Sequence, residues 1–300
     1  MVRYHLISLG RLLGRSKHKS RKHSMLHKYY YHKQTDLDII KKLITKAVQG
    51  VLVKYKLYLV EGLPGTGKTT LSERLHTLLI KKGIKSELLL EDDKKIPCNF
   101  CDIAGIPKIK AENYQIDRYV IKETENYFYV NLNECGQETA GRIKCYDIGD
   151  EFNKHISVQE YVNCTLEWWE HWTTDNIKDS VLILDSAFMQ CPINEMIIRG
   201  AADPEISAYI NSIAEIIKPY TPVCIYLNRG DAKTAIDFAK KAKGEEWTKG
   251  IERLAEIGCS NLFERRFDLE NKLLPVIPGI ICNINGNDWS DVEVKLSEII

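Results

Sequence analysis

From about residue 37 the chain alternates between apolar runs of two periods. Leu37, Ile39, Ile40, Leu43, Ile44 and Val48 recur at helical spacing and predict a helix leading into the main body. A short apolar strand follows at 56–61, then a Gly-rich turn. The next helix carries Leu71, Leu75, Leu78 and Leu79 on one face and stops at Gly83. Further strands are predicted at 87–91, 181–185, 223–227 and 279–283, and the 181–185 strand is apolar on both faces, as a strand inside a parallel sheet should be. Between them, Asp203 as N-cap with Pro204 at the first position opens a helix buried through Ile206, Ile210, Ile213 and Ile217. Ser290 with Glu293 reads as the capping box of a last helix that buries Val292, Leu296 and Ile299.

Strands alternating with helices imply a parallel, doubly wound α/β sheet of five strands. Two stretches interrupt the alternation. Residues 97–150 read as an insertion after the second strand, holding a hairpin with its clearest strand at 127–132; residues 229–272 are helical and rich in charge. Without repeats or a linker, 37–300 reads as one elaborated domain.

Charge separates the first 36 residues from the rest. Up to Thr35 there are nine Lys and Arg and five His but no Asp or Glu, although the 300-residue chain has a net charge of only +1. That tail reads as a poorly ordered basic extension. A basic amphipathic targeting segment and a polyanion contact such as nucleic acid or phospholipid are the other readings it allows. No apolar run approaches the ~18–20 residues needed to span a bilayer, and nine scattered cysteines do not resemble a secreted disulfide framework. The expectation is a cytoplasmic protein without a membrane partner.

The Gly-rich turn carries the chemistry. Gly62-Leu-Pro-Gly-Thr-Gly-Lys68-Thr69 satisfies G-x-x-x-x-G-K-[ST]. In such a loop the glycines let successive backbone N–H groups point at phosphate oxygens, and the following helix adds its N-terminal dipole. Gly62, Pro64, Gly65, Thr66, Gly67, Lys68, Thr69 and Thr70 are therefore the expected ATP contacts, with Lys68 on the β- and γ-phosphates and the Thr69 hydroxyl on Mg²⁺. Asp185, closing the third strand, is the expected second Mg²⁺ residue, partly through water. The next residue is Ser186, so the second carboxylate that hydrolytic motor ATPases place there is missing. Asn228-Arg-Gly-Asp231 resembles a guanine-reading N-K-x-D, but no D-x-x-G follows the third strand, and Asp231 reads more simply as a helix N-cap.

Together, the loop from Gly62 to Thr70, the Asp185 strand, the helical 229–272 stretch and the Asn283–Asn287 turn resemble the thymidylate kinase-like nucleoside and nucleotide kinases. The run from Asp185 to Glu195 is similar to that of bacterial P-loop proteins known only as ATP-binding. The resemblance spans roughly 55–300 and implies a three-layer P-loop NTPase fold, a helical lid, ATP with Mg²⁺ as cofactors and a small-molecule acceptor. Those kinases commonly carry Arg after the third-strand acid; Ser186 in that place argues against a nucleoside monophosphate as acceptor.

An acceptor belongs beyond the carboxyl ends of the strands. There the second strand runs into Glu91-Asp92-Asp93, where Asp92 or Asp93 is the expected base for an attacking hydroxyl. Arg229, Arg253, Arg265 and Arg266, in a lid over the phosphate loop, are candidates to steady the γ-phosphate, Arg229 and Arg265 foremost. Trp168, turned away from the packed face shared by Trp169 and Trp172, is offered as a stacking surface for an acceptor ring. Cys98, Cys101, Cys135 and Cys145 have the residue type for a zinc site, but the second pair lies too far apart for the usual spacing. The expected activity is γ-phosphoryl transfer to a small-molecule acceptor, nucleoside- or nucleotide-like or antibiotic-like; the alternative is an ATPase or switch acting on a macromolecule.

Overall fold

The computed structural model describes residues 54–256 and 258–300, so the helix expected at 37–48 and the basic extension lie outside the described residues. Five parallel strands form the main sheet: β1 (Leu57–Gly62), β2 (Ser86–Leu89), β6 (Val181–Asp185), β7 (Pro222–Asn228) and β8 (Gly279–Asn283), in the spatial order β2-β6-β1-β7-β8. The two strands that carry the phosphate loop and Asp185 are therefore neighbours, and Val60 pairs with Asp185.

The sheet is covered on both faces. Tyr58, Val60, Ile183, Ile225 and Leu227 point to a layer made by α1 (Lys68–Lys81) and α10 (Ser290–Ile299). The alternate residues Leu57, Leu59, Leu182, Leu184 and Tyr226 point the other way. They bury against α4 (Val158–Asn176), α5 (Gln190–Ile198), α6 (Asp203–Ile217) and α9 (Leu262–Leu273). This two-sided burial follows from the period-2 geometry of strands and explains why their sequences are apolar throughout. Together these layers form a three-layer α/β sandwich around a five-stranded parallel sheet.

The insertion is larger than a hairpin. Strands β3 (Ile103–Pro107), β4 (Val120–Glu123) and β5 (Tyr127–Asn131) make a separate antiparallel sheet in the order β3-β5-β4, accompanied by α2 (Lys108–Ala111) and α3 (Gln137–Ile143). It has its own small core around Ala104, Ile106, Val130 and Ile143. Gly105 lets α4 approach closely, since a Cβ there would meet the Cys164 sulfur at 2.3 Å.

Two capping expectations are corrected. The N-cap of α6 is Ala202, whose N–H donates to Glu205 at 2.7 Å, leaving the Asp203 carboxylate free for an ion pair described below. Before α10 the Ser290 N–H donates to Asp288 at 2.9 Å, so Asp288, not a Ser290–Glu293 box, secures that start. Asp231 does cap α7 (Ala232–Lys243), its Oδ1 accepting from the Thr234 N–H at 2.7 Å.

The charged stretch at 229–272 divides in two. Helix α9 belongs to the core, with Leu262, Leu269 and Leu273 buried, whereas α8 (Glu245–Glu256) buries no residue.

Candidate functional site

The loop after β1 turns tightly enough that only glycine suits its hinge points. Gly65 and Gly67 hold φ of +78° and +96°, and a Cβ on Gly65 would lie 2.8 Å from Ala239 of α7. The Thr66 hydroxyl donates back to Leu63 O at 2.8 Å, curling the loop over the N-terminus of α1. That terminus supplies unpaired N–H groups and a positive dipole end, as an anionic phosphate requires.

Three predicted residues meet here. The Thr69 hydroxyl donates to Asp185 Oδ2 at 2.8 Å, joining the first turn of α1 to the end of β6. The Ser186 hydroxyl donates to the other oxygen, Oδ1, also at 2.8 Å, and Ser186 itself sits at φ +67°. Lys68 is buried and its Nζ donates to Leu63 O at 3.2 Å. Burial lowers the Lys68 ammonium from its ordinary value, helped by the Arg266 guanidinium and opposed by Asp185, Glu91 and Glu61. A hydroxyl and a carboxylate side by side, next to a buried ammonium and a glycine cradle, are the donor set that Mg²⁺ with a triphosphate needs. Trp289, whose ring would lie 2.7 Å from a Cβ on Gly67, forms one wall of the loop; no motif drew attention to it.

Glu61, the residue before the loop, also escaped the sequence reading. Its buried carboxylate accepts the N–H groups of Phe188, Met189 and Gln190 at 2.7, 3.1 and 3.1 Å, capping the start of α5. Burial, and then Glu270, push the Glu61 carboxyl up to about 7 against the pull of those donors. A single carboxylate thus fixes the phosphate loop to the helix that lines the neighbouring cavity.

That cavity, of about 530 Å³, opens between α5, the end of β2 and the insertion. Glu91 lines it, whereas Asp92 and Asp93 do not. Asp93 instead closes a turn, accepting the Lys95 N–H at 2.8 Å. β2 ends at Leu89, and of the three acidic residues that follow, Glu91 alone borders the cavity. Asp102, Asp147, Asp150, Glu151 and Glu195 complete an acidic lining relieved only by Lys144. Burial pushes the Glu195 carboxyl up to about 8, with Glu151 adding and Arg199 opposing, and burial raises Asp147 and Glu151 as well. Arg199 is held against the wall, donating to Ile148 O at 2.8 Å and Asp150 O at 3.1 Å and lying over the Tyr161 ring.

The expected lid arginines are mostly engaged elsewhere. Arg229 donates to Gly286 O at 2.6 Å and stacks 3.8 Å from the Phe238 centroid. Arg265 pairs with Asp203 at 2.7 Å and with Ala201 O, pinning α9 to the start of α6. Arg266 is completely buried behind the loop, 3.1 Å from Glu270. Trp168 packs on Tyr129 and Phe100, with centroids 4.9 and 5.9 Å away, and does not line the cavity. Its ring is spent on holding the insertion to α4. Among the described residues no three His, Cys, Asp or Glu side chains converge to hold a metal.

No family model and no curated protein matches the chain. Among solved structures, a deoxyadenosine kinase from M. mycoides with bound dATP is similar over 81% of this chain and 98% of its own, with 14% identity and a TM-score of 0.35.

Proposed function

We propose that this chain is an ATP-dependent phosphotransferase whose acceptor is a small alcohol, uncharged or amine-bearing rather than phosphorylated. The observation that carries the reading is Glu91. It lines an open cavity of about 530 Å³ and lies within the field of the loop lysine Lys68. That volume falls in the range of small-molecule sites, roughly 300–1,000 Å³.

Bound Mg·ATP would supply the transferable phosphoryl group and concentrated positive charge. The loop from Gly62 to Thr70 would hold the phosphates, with Thr69 and Asp185 toward the metal and Lys68 toward the β- and γ-oxygens. Glu91 would accept the proton of the acceptor hydroxyl. Asp102, Asp147, Asp150 and Glu151 against one ammonium, with Glu195 held protonated by its raised value, would repel a phosphate dianion and favour an amine or a neutral hydroxyl compound. Transfer is favoured over hydrolysis because Ser186 follows Asp185 and is itself bonded to it, and Glu61 is occupied by three N–H donors. The lid falls to α8, whose exposed Arg253 makes no ion pair among the described residues.

The test is ADP release from Mg·ATP with kanamycin, thymidine or thymidine monophosphate added. Stimulation by kanamycin or thymidine, lost in Glu91→Gln and kept in Asp92→Asn, supports the reading. Stimulation by the monophosphate alone overturns the acceptor class, and an unchanged basal rate with every compound overturns the transferase.

A further inference from the structure

A string of buried polar side chains runs behind the phosphate loop. Arg266, with no exposed surface, directs Nη2 at both Gly62 O and Gln190 Oε1, each 3.4 Å away. Its Nη1 donates to Asn194 Oδ1 at 3.1 Å, and Asn194 lines the cavity. From the other end of the same amide, Gln190 Nε2 donates to Glu91 Oε1 at 2.6 Å. Gln190 is itself buried, and its backbone N–H is one of the three held by Glu61.

The polarity of this string is fixed. A guanidinium can only donate and an ionised carboxylate can only accept, so the amide between them has one workable orientation. Turned over, it would set N–H against guanidinium and oxygen against carboxylate, losing both bonds in a buried place where each unmade bond costs roughly 1–3 kcal/mol. Arg266 thus dictates that Gln190 donates to Glu91. Glu91 is otherwise an exposed side chain at a strand end, free to sample several rotamers.

We propose that Gln190 is a positioning residue: clamped by Arg266 at its oxygen, it holds the Glu91 carboxylate over the cavity and transmits occupancy of the phosphate loop to it. The proposal rests on Glu91 being the acceptor base. Arg266 is the coupling element because it touches the first loop residue, Gly62, and its charge acts on Lys68, so ligation of phosphate by Lys68 alters the field Arg266 presents to the amide.

The experiment follows the side-chain carboxyl resonance of Glu91 in full-length protein labelled with ¹³C-glutamate, assigned by its absence in Glu91→Gln. Mg·AMP-PNP is the probe. In the parent the signal moves on saturation with the probe. In Gln190→Leu and Gln190→Glu it stays fixed while probe affinity remains within about twofold, because Gln190 is distant from the phosphates in the chain of contacts. Gln190→Glu separates positioning from packing: it keeps volume and the Arg266 contact but sets like charge against Glu91. A signal that moves equally in either variant means that nucleotide is felt through space, and a signal that stays fixed in the parent means there is no coupling; both overturn the proposal. Failure of acceptor-stimulated ADP release would overturn the transferase reading alone and leave this resonance result standing.

Discussion

Replacing Arg266 with Met should be among the costliest single changes in the domain, and removing its partner as well should restore much of the loss. Arg266 and Glu270 both have 0% of their side chains exposed and lie 3.1 Å apart. The remaining contact of Glu270 is the Tyr226 hydroxyl, which donates to it at 2.7 Å. Glu61 is close enough that Glu270 helps push its carboxyl up. Deleting the guanidinium leaves two buried carboxylates facing one another and strips Asn194, Gln190 and Gly62 O of a donor. Breaking a buried pair on one side typically costs about 3–5 kcal/mol. For a domain of this size that is about 6–20 °C in Tm, at about 2–4 °C per kcal/mol. In Arg266→Met/Glu270→Leu the orphaned charge is gone and apolar volume replaces it, so the double variant should be more stable than the single one. Urea unfolding of the full chain, followed through the buried Trp169 and Trp172, measures all three proteins. A single variant within about 1 kcal/mol of the parent, or a double variant less stable than the single, would refute this account of the network.

Lys68→Met should abolish calorimetric binding of Mg·ATP while leaving the unfolding midpoint close to that of the parent, because its methylenes keep the buried stem packed. Stability should also fall as pH rises. The Glu195 carboxyl, held up to about 8 in the folded chain, keeps a proton that the unfolded chain releases above an ordinary carboxylate value of 4.5. Its favourable contribution is therefore complete at low pH and lost as pH climbs through that window, roughly 2 kcal/mol between pH 6 and pH 8. Glu195→Gln should flatten this slope, and an unchanged slope would show that Glu195 does not titrate there.

The five strands and the phosphate loop were legible in the sequence because each is a local matter. A run such as Val181-Leu-Ile-Leu declares a strand buried on both faces, and the spacing of glycines, Lys68 and Thr69 is dictated by the length of one loop and the first turn of one helix. The nearness of Asp185 to the loop could be anticipated because strand ends of a parallel sheet converge there, and it lies 2.8 Å from the Thr69 hydroxyl.

The rest depended on which distant segments came together. Nothing in Glu61 marks it as the cap of a helix that begins at residue 190, since backbone donors have no sequence identity. That Glu91 and not Asp92 borders the cavity depends on β2 ending at Leu89, a boundary set by pairing with β6 more than by local preference. Arg229, Arg265 and Arg266 look alike in the chain. Tertiary packing alone sent one to Gly286, one to Asp203 and one into the core behind the phosphate loop. Charge is a property of the residue; what that charge neutralises is decided by the fold.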